Sequence, residues 1–217
     1  MTRHLLFLLI MLLTVSACTV TPDDPQHAVN LSAQLQQVAK VQQWELRGKM
    51  AFRQGKEAAS ANISWKTDGD DFNFRLTNLL GITLVHLVVD DDLATLEADG
   101  KTYKDAIPEP LIYYATGMAI PVAPLLSWIK GMPLANNSYQ LNDKGLLASL
   151  ESQCNACEGW QVTYGNYGNV ATPTGGDIWL PHAITLTQES PLPINEAPSN
   201  KPVTTVLKIK IYQWTLP

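Results

Sequence analysis

Charged residues are scarce in this chain of 217 residues, because Lys, Arg, Asp and Glu together make up 16%, whereas about a quarter is usual. With 46% hydrophobic residues, that scarcity excludes a disordered polyelectrolyte. The formal net charge of −5 excludes a nucleic-acid binder held by a basic surface. Three cysteines are too few for a disulfide-dense scaffold. Beyond residue 17, no apolar run approaches the roughly 20 residues of a membrane-spanning helix.

The first seventeen residues have the features of a secretory signal. Arg3 provides a positive start, residues 5–13 form an apolar run, and small or β-branched residues lead to Cys18. This order predicts a cleaved signal peptide over residues 1–17. The ending Val15-Ser16-Ala17-Cys18 resembles a bacterial lipobox, which predicts lipidation of Cys18. An ordinary signal peptide with an unmodified Cys18 is the alternative.

A tether is predicted between the lipid and the folded body. Residues 18–30 contain Pro22, Pro25, Asp23 and Asp24 and have no periodicity, which is typical of a flexible linker. Thr19 follows the cysteine. In proteobacterial lipoproteins an Asp at that position usually signals retention in the inner membrane, so Thr19 favours the outer membrane. The folded domain is then predicted over residues 31–217.

Alternating apolar and polar residues predict that this domain is mainly β. Over residues 44–53 most even positions are apolar and most odd positions are charged, and the same period returns at 59–65, 72–76 and 207–211. One-sided alternation marks antiparallel strands with one buried face. Turn residues such as those at 68–70 separate the runs. We therefore predict one antiparallel sheet of about eleven strands.

Helical signals occur at two places. Asn30 is a suitable N-cap for a short helix that begins at Leu31. Near residues 108–131, Pro121 and Pro124 can begin a helix and Gly131 can end one, so a helical insertion is predicted there. A curved sheet of this size can form a half-closed barrel that such helices cover. Alternation alone does not distinguish a filled interior from a cavity.

Catalytic and metal-binding patterns are missing from the sequence. His86 and His182 lack a second ligand at metal-binding spacing, and no G-x-S-x-G elbow, phosphate-binding loop or dinucleotide-binding motif occurs. We predict no catalytic residues, no metal and no cofactor. A hydrolase that uses unpaired Asp and His residues remains an open alternative, which a loss of lipid-ester hydrolysis in a His86→Ala variant would support.

Cys154 and Cys157 form a C-x-x-C pair, which occurs in redox motifs, in zinc sites and in small disulfide loops. A redox motif requires a βαβ setting that this sequence lacks, and a zinc site requires a second ligand pair. With Cys18 lipidated, the other two cysteines would be an even pair in an oxidising compartment. We therefore predict a disulfide between Cys154 and Cys157.

Leu79 and Leu80 lie between two predicted strands, where a turn is expected. Asn78 and Gly81 have turn chemistry, but the two leucines between them do not. Two explanations remain open at this point. The leucines are either buried in the core or exposed for contact with a partner or a membrane.

Several segments over nearly the whole chain occur in the order and spacing of one protein family. They are Cys18, 44–51, Trp65, 76–81, 99–103, 117–122, 126–133, 159–164 and 180–181. In these segments the chain resembles the LolB family, outer-membrane lipoproteins that receive other lipoproteins from the periplasmic carrier LolA and insert them into the outer membrane.

The resemblance implies both a fold and a function. The implied fold is an unclosed antiparallel β-barrel with short helices that cover an apolar cavity for acyl chains. The implied function is that of a non-enzymatic receptor in the outer membrane of a Gram-negative bacterium, monomeric and facing the periplasm. Its partners would be a LolA-like carrier, acylated lipoprotein cargo and the outer-membrane bilayer. A structural lipoprotein with a packed barrel is the alternative.

Two sets of site residues accompany the resemblance. The loop with Leu79, Leu80 and Gly81 is implied to protrude and insert into the membrane through Leu80, although the family usually has Pro where this chain has Leu79. Inward-facing residues of the predicted strands and helices are candidates for the lining of the cavity. They are Trp44, Leu46, Met50, Phe52, Ile63, Trp65, Phe72, Phe74, Leu76 and Trp128.

Overall fold

The computed structural model describes residues 24–116, 120–153, 157, 159–190 and 203–217. The predicted signal peptide, Cys18 and Cys154 lie outside the described residues, so their assignments stay predictions. The described segments contain three helices and eleven strands. The helices are α1 Leu31–Val38, α2 Pro108–Thr116 and α3 Val122–Trp128. The strands are β1 Gln43–Gln54, β2 Glu57–Asp68, β3 Asp71–Thr77, β4 Thr83–Asp90, β5 Leu93–Ala98, β6 Lys101–Asp105, β7 Ser138–Leu141, β8 Leu147–Glu151, β9 Trp160–Ala171, β10 Asp177–Ser190 and β11 Val203–Thr215.

All eleven strands belong to one antiparallel sheet in the order β6-β5-β4-β3-β2-β1-β11-β10-β9-β8-β7. In the part of the chain that the structure describes, the edge strands β6 and β7 do not pair with each other. The sheet is therefore unclosed. The predictions of a mainly β fold, of about eleven antiparallel strands and of an open sheet are confirmed.

The inner face of the sheet is buried, as the alternation predicts. Trp44, Leu46 and Met50 of β1 are at most 6% exposed, whereas Arg47 and Lys49 between them are exposed. Helices α2 and α3 lie on this inner face, since Leu111, Ile112, Leu125 and Trp128 belong to the same hydrophobic core as the strands. None of the helices in the described segments has the length and apolar character that crossing a bilayer requires.

A β-bulge between β1 and β11 shapes the middle of the sheet. The register shifts between Arg47 and Gly48, and a Cβ atom at Gly48 would lie 2.1 Å from the carbonyl oxygen of Lys210. Only glycine permits this close approach. Because a bulge bends its strand and increases the local twist, this position favours curvature at the centre of the sheet.

Helix α1 docks on β10 through a buried glutamine. The Asn30 Oδ1 atom accepts a hydrogen bond from the backbone N–H of Ala33 at 3.0 Å, which confirms the predicted N-cap. The Gln34 amide donates to the carbonyl oxygen of Trp179 at 2.7 Å and accepts from the Trp179 N–H at 3.3 Å. The pairing of β10 with β11 begins only at Ala183, so Gln34 takes the place of a neighbouring strand at Trp179.

Candidate functional site: an apolar cavity and an exposed leucine loop

An apolar cavity of about 230 Å³ lies between the inner face of the sheet and the helical insertion. Its wall contains a single hydroxyl, that of Ser60, and no titratable side chain. A space of this chemistry can hold hydrocarbon and offers almost no polar group to orient a charged ligand. The lining residues are Met50, Phe52, Ala59, Ser60, Ala61, Trp65, Phe72, Phe74, Leu76, Leu84, Val85, Leu87, Leu96, Ile112, Ile120, Val122, Leu125 and Leu207.

The structure divides the ten predicted lining residues into two groups. Met50, Phe52, Trp65, Phe72, Phe74 and Leu76 lie around the cavity. Trp44, Leu46, Ile63 and Trp128 do not line it and are instead buried in the packed core. The structure thus places these four residues in the packed core beside the cavity. Alternation assigns a residue to the inner face but does not say whether neighbouring side chains fill the space beside it.

Sequence reasoning also missed part of the wall. Val85, Leu87 and Leu96 come from β4 and β5, and Ile112 and Leu125 come from the helical insertion. Residues 83–89 form an almost continuous apolar run rather than an alternating one. The sequence pattern therefore does not show which side chains of β4 face inward. The apolar residues of the insertion were a usable signal, because helices that cover a sheet must bury their apolar stripe against it.

The closed end of the cavity is a cluster of aromatic side chains. The ring of Trp65 contacts Trp44 and Phe74 edge-on with centroid separations of 5.4 Å each, and Phe72 at 6.0 Å. Trp65 is 1% exposed. Edge-to-face pairs of this kind add stability beyond the burial of their area, so tightly packed aromatic rings form this end of the cavity.

The open end of the cavity lies beside the β3–β4 turn. Ala59 and Ser60 are exposed there, and Leu84 is 43% exposed. Leu76 and Leu84 line the cavity and also flank the turn that carries Leu79 and Leu80. An apolar surface therefore continues from the cavity to the tip of this turn.

We name residues 78–82 the leucine loop. Leu79 and Leu80 are 84% and 85% exposed, and Ile82 is 59% exposed. The Asn78 Oδ1 atom accepts hydrogen bonds from the N–H groups of Leu80 at 2.9 Å and Ile82 at 3.0 Å. Gly81 has a φ of 80°, which favours glycine. Of the two explanations for the leucines, the structure places their side chains in solvent.

A second turn in the same protein repeats this geometry without the leucines. Asn142 Oδ1 accepts from the N–H groups of Lys144 and Leu146, each at 3.0 Å, and Gly145 has a φ of 78°. Its two central residues are Asp143 and Lys144, which are ordinary for a solvated turn. The backbone conformation therefore does not require apolar side chains at positions 79 and 80.

We expect the Asn78→Ala variant to loosen the leucine loop without unfolding the domain. The backbone N–H groups of Leu80 and Ile82 would lose their acceptor, so their amide hydrogens should exchange faster by about fivefold, as expected for hydrogen bonds worth roughly 1 kcal/mol. Hydrogen exchange read by NMR would measure this change. The matched control is Asn142→Ala, which should accelerate amide hydrogen exchange at Lys144 and Leu146 and leave the exchange at Leu80 and Ile82 unchanged. Unchanged exchange at Leu80 in Asn78→Ala would contradict the role of Asn78.

Groups with catalytic or ligand chemistry do not gather at the cavity. His86 Nδ1 lies 3.3 Å from a carboxylate oxygen of Glu97, and His86 Nε2 lies 3.2 Å from Oδ1 of Asn73; none of these residues lines the cavity. Among the described residues, no three or more His, Cys, Asp or Glu side chains are placed to hold a metal ion. Cys157 is buried and disulfide-bonded, but Cys154 is not described, so the pairing of these two cysteines stays a prediction.

Burial shifts the pKa of four groups that lie outside the cavity wall. Desolvation lowers the pKa of Lys130 and of His182, and the hydrogen bond between His182 Nδ1 and the Ile211 carbonyl partly opposes the second shift. Desolvation raises the pKa of the Tyr164 and Tyr167 hydroxyls. Since no titratable side chain lines the cavity, hydrocarbon binding there is not coupled directly to any of these protons.

Comparison with known proteins identifies the family of this chain. The family described as outer membrane lipoprotein LolB matches residues 42–214. Outer-membrane lipoprotein LolB of Aeromonas hydrophila is 32% identical over 213 residues, which cover 97% of this chain and 96% of the relative. The LolB proteins of Vibrio cholerae and Psychromonas ingrahamii are 31% and 35% identical, covering 99% and 83% of this chain and 97% and 87% of those relatives.

A solved structure of a LolA superfamily protein from Nitrosomonas europaea aligns with a TM-score of 0.48 and 11% identity, covering 88% of this chain and 94% of that one. The family assignment does not depend on this alignment. It depends on the family match over most of the described sheet and on relatives that are more than 30% identical over nearly their whole length. The chain belongs to the LolB family of outer-membrane lipoproteins.

Proposed function

We propose that this protein is an outer-membrane receptor that accepts acylated lipoproteins from a LolA-like periplasmic carrier and inserts them into the outer membrane. The acyl chains of the cargo would occupy the apolar cavity, and the lipidated Cys18 would hold the receptor at the membrane. The leucine loop, chiefly through Leu80, would contact the bilayer. The observation that carries this proposal is the pair of exposed leucines on a turn that does not need them, beside the open end of the cavity.

The chemistry of lipoproteins explains why such a cavity is useful. Acyl chains do not cross an aqueous compartment uncovered, because each methylene removed from water contributes about 0.8 kcal/mol. A wall of aliphatic and aromatic side chains removes them from water without a polar group that would hold them specifically. Release requires no nucleotide if the affinity for the acyl chains rises from carrier to receptor and from receptor to bilayer.

The geometry favours this function over that of a packed structural lipoprotein. A solidly packed barrel would leave no space of about 230 Å³ on the inner face of the sheet. It would also give no reason for an apolar surface that continues from Leu76 and Leu84 at the open end to the exposed Leu79 and Leu80. Exposed apolar surface rimmed by polar residues is typical of membrane or partner contact.

The test is a two-step transfer. The mature chain is incubated with a LolA-like carrier that holds a triacylated lipoprotein, and the cargo is followed by co-purification onto the receptor and then by flotation with liposomes. We expect transfer in both steps. A folded receptor that takes up no cargo would contradict the proposal. The better hypothesis would then be a structural lipoprotein with a packed barrel.

A further inference from the structure

Four cations lie on the outer face of β1 and β11, and we name them the basic face: Lys49, Arg53, Lys208 and Lys210. All four side chains are exposed. The ion pairs found among the described residues are Arg47–Glu45 and His86–Glu97, so no described carboxylate is within ion-pair distance of the basic face. Lys49 and Lys210 are directly opposite each other across the two strands. Like charges in that arrangement destabilise a sheet, and the compensating contact that the structure describes is that of Lys210 Nζ with the Tyr212 ring, 5.9 Å from its centroid.

The basic face begins in the cross-strand row from which the leucine loop starts. Lys49 is paired with Asn62, and Asn62 is paired with Thr77, the residue before the loop. The Asn62 side chain donates to the carbonyl oxygen of Asn78 at 3.3 Å. Lys49 therefore belongs to the cross-strand row in which the leucine loop begins.

Lys210 shares the row of Lys49, and Lys208 and Arg53 lie farther toward the same end of the sheet. Lys208 is paired with Ala51, two residues beyond Lys49 along β1, and Arg53 follows two residues later. A strand rises by about 3.3 Å per residue, so the backbone of Lys208 lies about 7 Å and that of Arg53 about 13 Å beyond the row of Lys49, toward the end of the sheet that carries the loop. A bilayer surface reached by Leu79 and Leu80 would be within reach of these cations.

The opposite end of the strands is acidic. The β2–β3 turn at 68–71 contains three aspartates, and the β4–β5 turn at 90–92 contains three more. Because these strands are antiparallel, both turns lie at the end away from the leucine loop. Six aspartates therefore lie far from the loop, whereas the loop end has Glu57, Asp99 and Glu189 together with the cations of the basic face.

We infer that the basic face binds the headgroups of anionic phospholipids while the leucine loop is in the bilayer. This inference rests on the proposed function, since it takes the leucine loop as the part that enters the membrane. A protein partner that exchanges acyl chains would meet the inner face at the open end of the cavity, whereas the basic face lies on the outer face of the sheet. Attraction to anionic lipid extends over about one Debye length, so it would draw the loop end toward the membrane and keep the acidic end away.

The test measures binding of the mature chain to vesicles. The Cys18→Ala substitution removes the acylation site, so the lipid anchor does not dominate, and the variant retains every residue that the structure describes. Sedimentation with phosphatidylcholine vesicles, with or without phosphatidylglycerol, separates apolar from electrostatic binding. We expect phosphatidylglycerol to strengthen binding at low salt and the gain to disappear at high salt.

Removing two cations of the basic face should remove most of that gain. In Lys49→Gln/Lys208→Gln, binding to the mixed vesicles should weaken by about twentyfold at low salt, since each cation near an anionic surface contributes roughly fivefold. Binding to phosphatidylcholine alone should not change. The matched control is Lys66→Gln/Lys104→Gln, which removes the same charge nearer the acidic end and should keep most of the gain.

Three results of the vesicle assay would overturn the inference. They are equal losses in both double variants, no loss in Lys49→Gln/Lys208→Gln, or a wild-type chain that gains nothing from phosphatidylglycerol. A loss confined to uptake from the carrier would also overturn it and would indicate an acidic protein surface as the partner. None of these results contradicts the proposed function. Cargo transfer and the leucine-dependent binding to phosphatidylcholine test that function separately.

Discussion

Replacing Leu80 by Glu should leave acyl-chain binding intact and lower delivery into liposomes by at least about tenfold. Leu80 is 85% exposed and is absent from the cavity wall, so the substitution neither removes packing nor alters the site that holds hydrocarbon. A carboxylate at the bilayer centre costs about 2.5 kcal/mol or more, and half of that cost already approaches tenfold in rate. Uptake of cargo from the carrier and its delivery into liposomes are measured in the same experiment.

The control uses the second turn of the same conformation. Lys144 occupies the position in the Asn142 turn that Leu80 occupies in the leucine loop, so Lys144→Glu adds a carboxylate on the same backbone geometry elsewhere. We expect full delivery from Lys144→Glu and nearly full delivery from Leu80→Met, which keeps an apolar side chain. Equal delivery by Leu80→Glu and the wild type would refute a role of Leu80 in membrane insertion.

Filling the cavity should abolish acyl-chain binding while the domain stays folded. Ala61 lines the cavity near its open end and is paired with Met50, so Phe at this position would place its ring in the empty space. Each excluded methylene weakens binding by about 0.8 kcal/mol, and the loss of two already exceeds tenfold. Displacement of a hydrophobic dye by a fatty acid would measure the affinity, and thermal unfolding would report stability.

The same substitution on the outer face is the control. Ala58 is exposed and is paired with Arg53, so Ala58→Phe adds the same ring outside the cavity. We expect dye binding by Ala58→Phe to match the wild type. If Ala61→Phe still binds the dye with wild-type affinity and melts at an unchanged temperature, acyl chains do not occupy this cavity.

The local sequence determined the elements of the fold. Alternation over 44–53 marks the buried and exposed faces of β1, because successive side chains of a strand point to opposite sides. Asn30 begins α1 because its side chain accepts a backbone hydrogen bond that the helix leaves open. Asn78 and Gly81 identify a turn for equally local reasons, an Asn side chain that accepts nearby N–H groups and a glycine with positive φ.

Local patterns could not predict contacts between distant parts of the chain. The pairing of Gln34 with the backbone of Trp179 joins residues 145 positions apart, and a glutamine on a short helix gives no sign of such a partner. The same is true of the basic face, since Lys49 and Lys210 become neighbours only through the register of β1 with β11. Long-range pairing depends on how the whole sheet is assembled, which no short window of sequence contains.

The sequence by itself determined that the chain is a mainly β protein with one apolar face, a helical insertion and two leucines on a turn. The tertiary structure decided where that apolar face is filled and where it is empty. Trp44 and Met50 have the same orientation on β1, yet Trp44 contacts Trp65 and Trp214 in the core, whereas Met50 lines the cavity. Periodicity fixes the direction of a side chain, but an empty space depends on every surrounding element at once. For that reason the cavity, and the exposed leucines at its open end, become visible only in the folded protein.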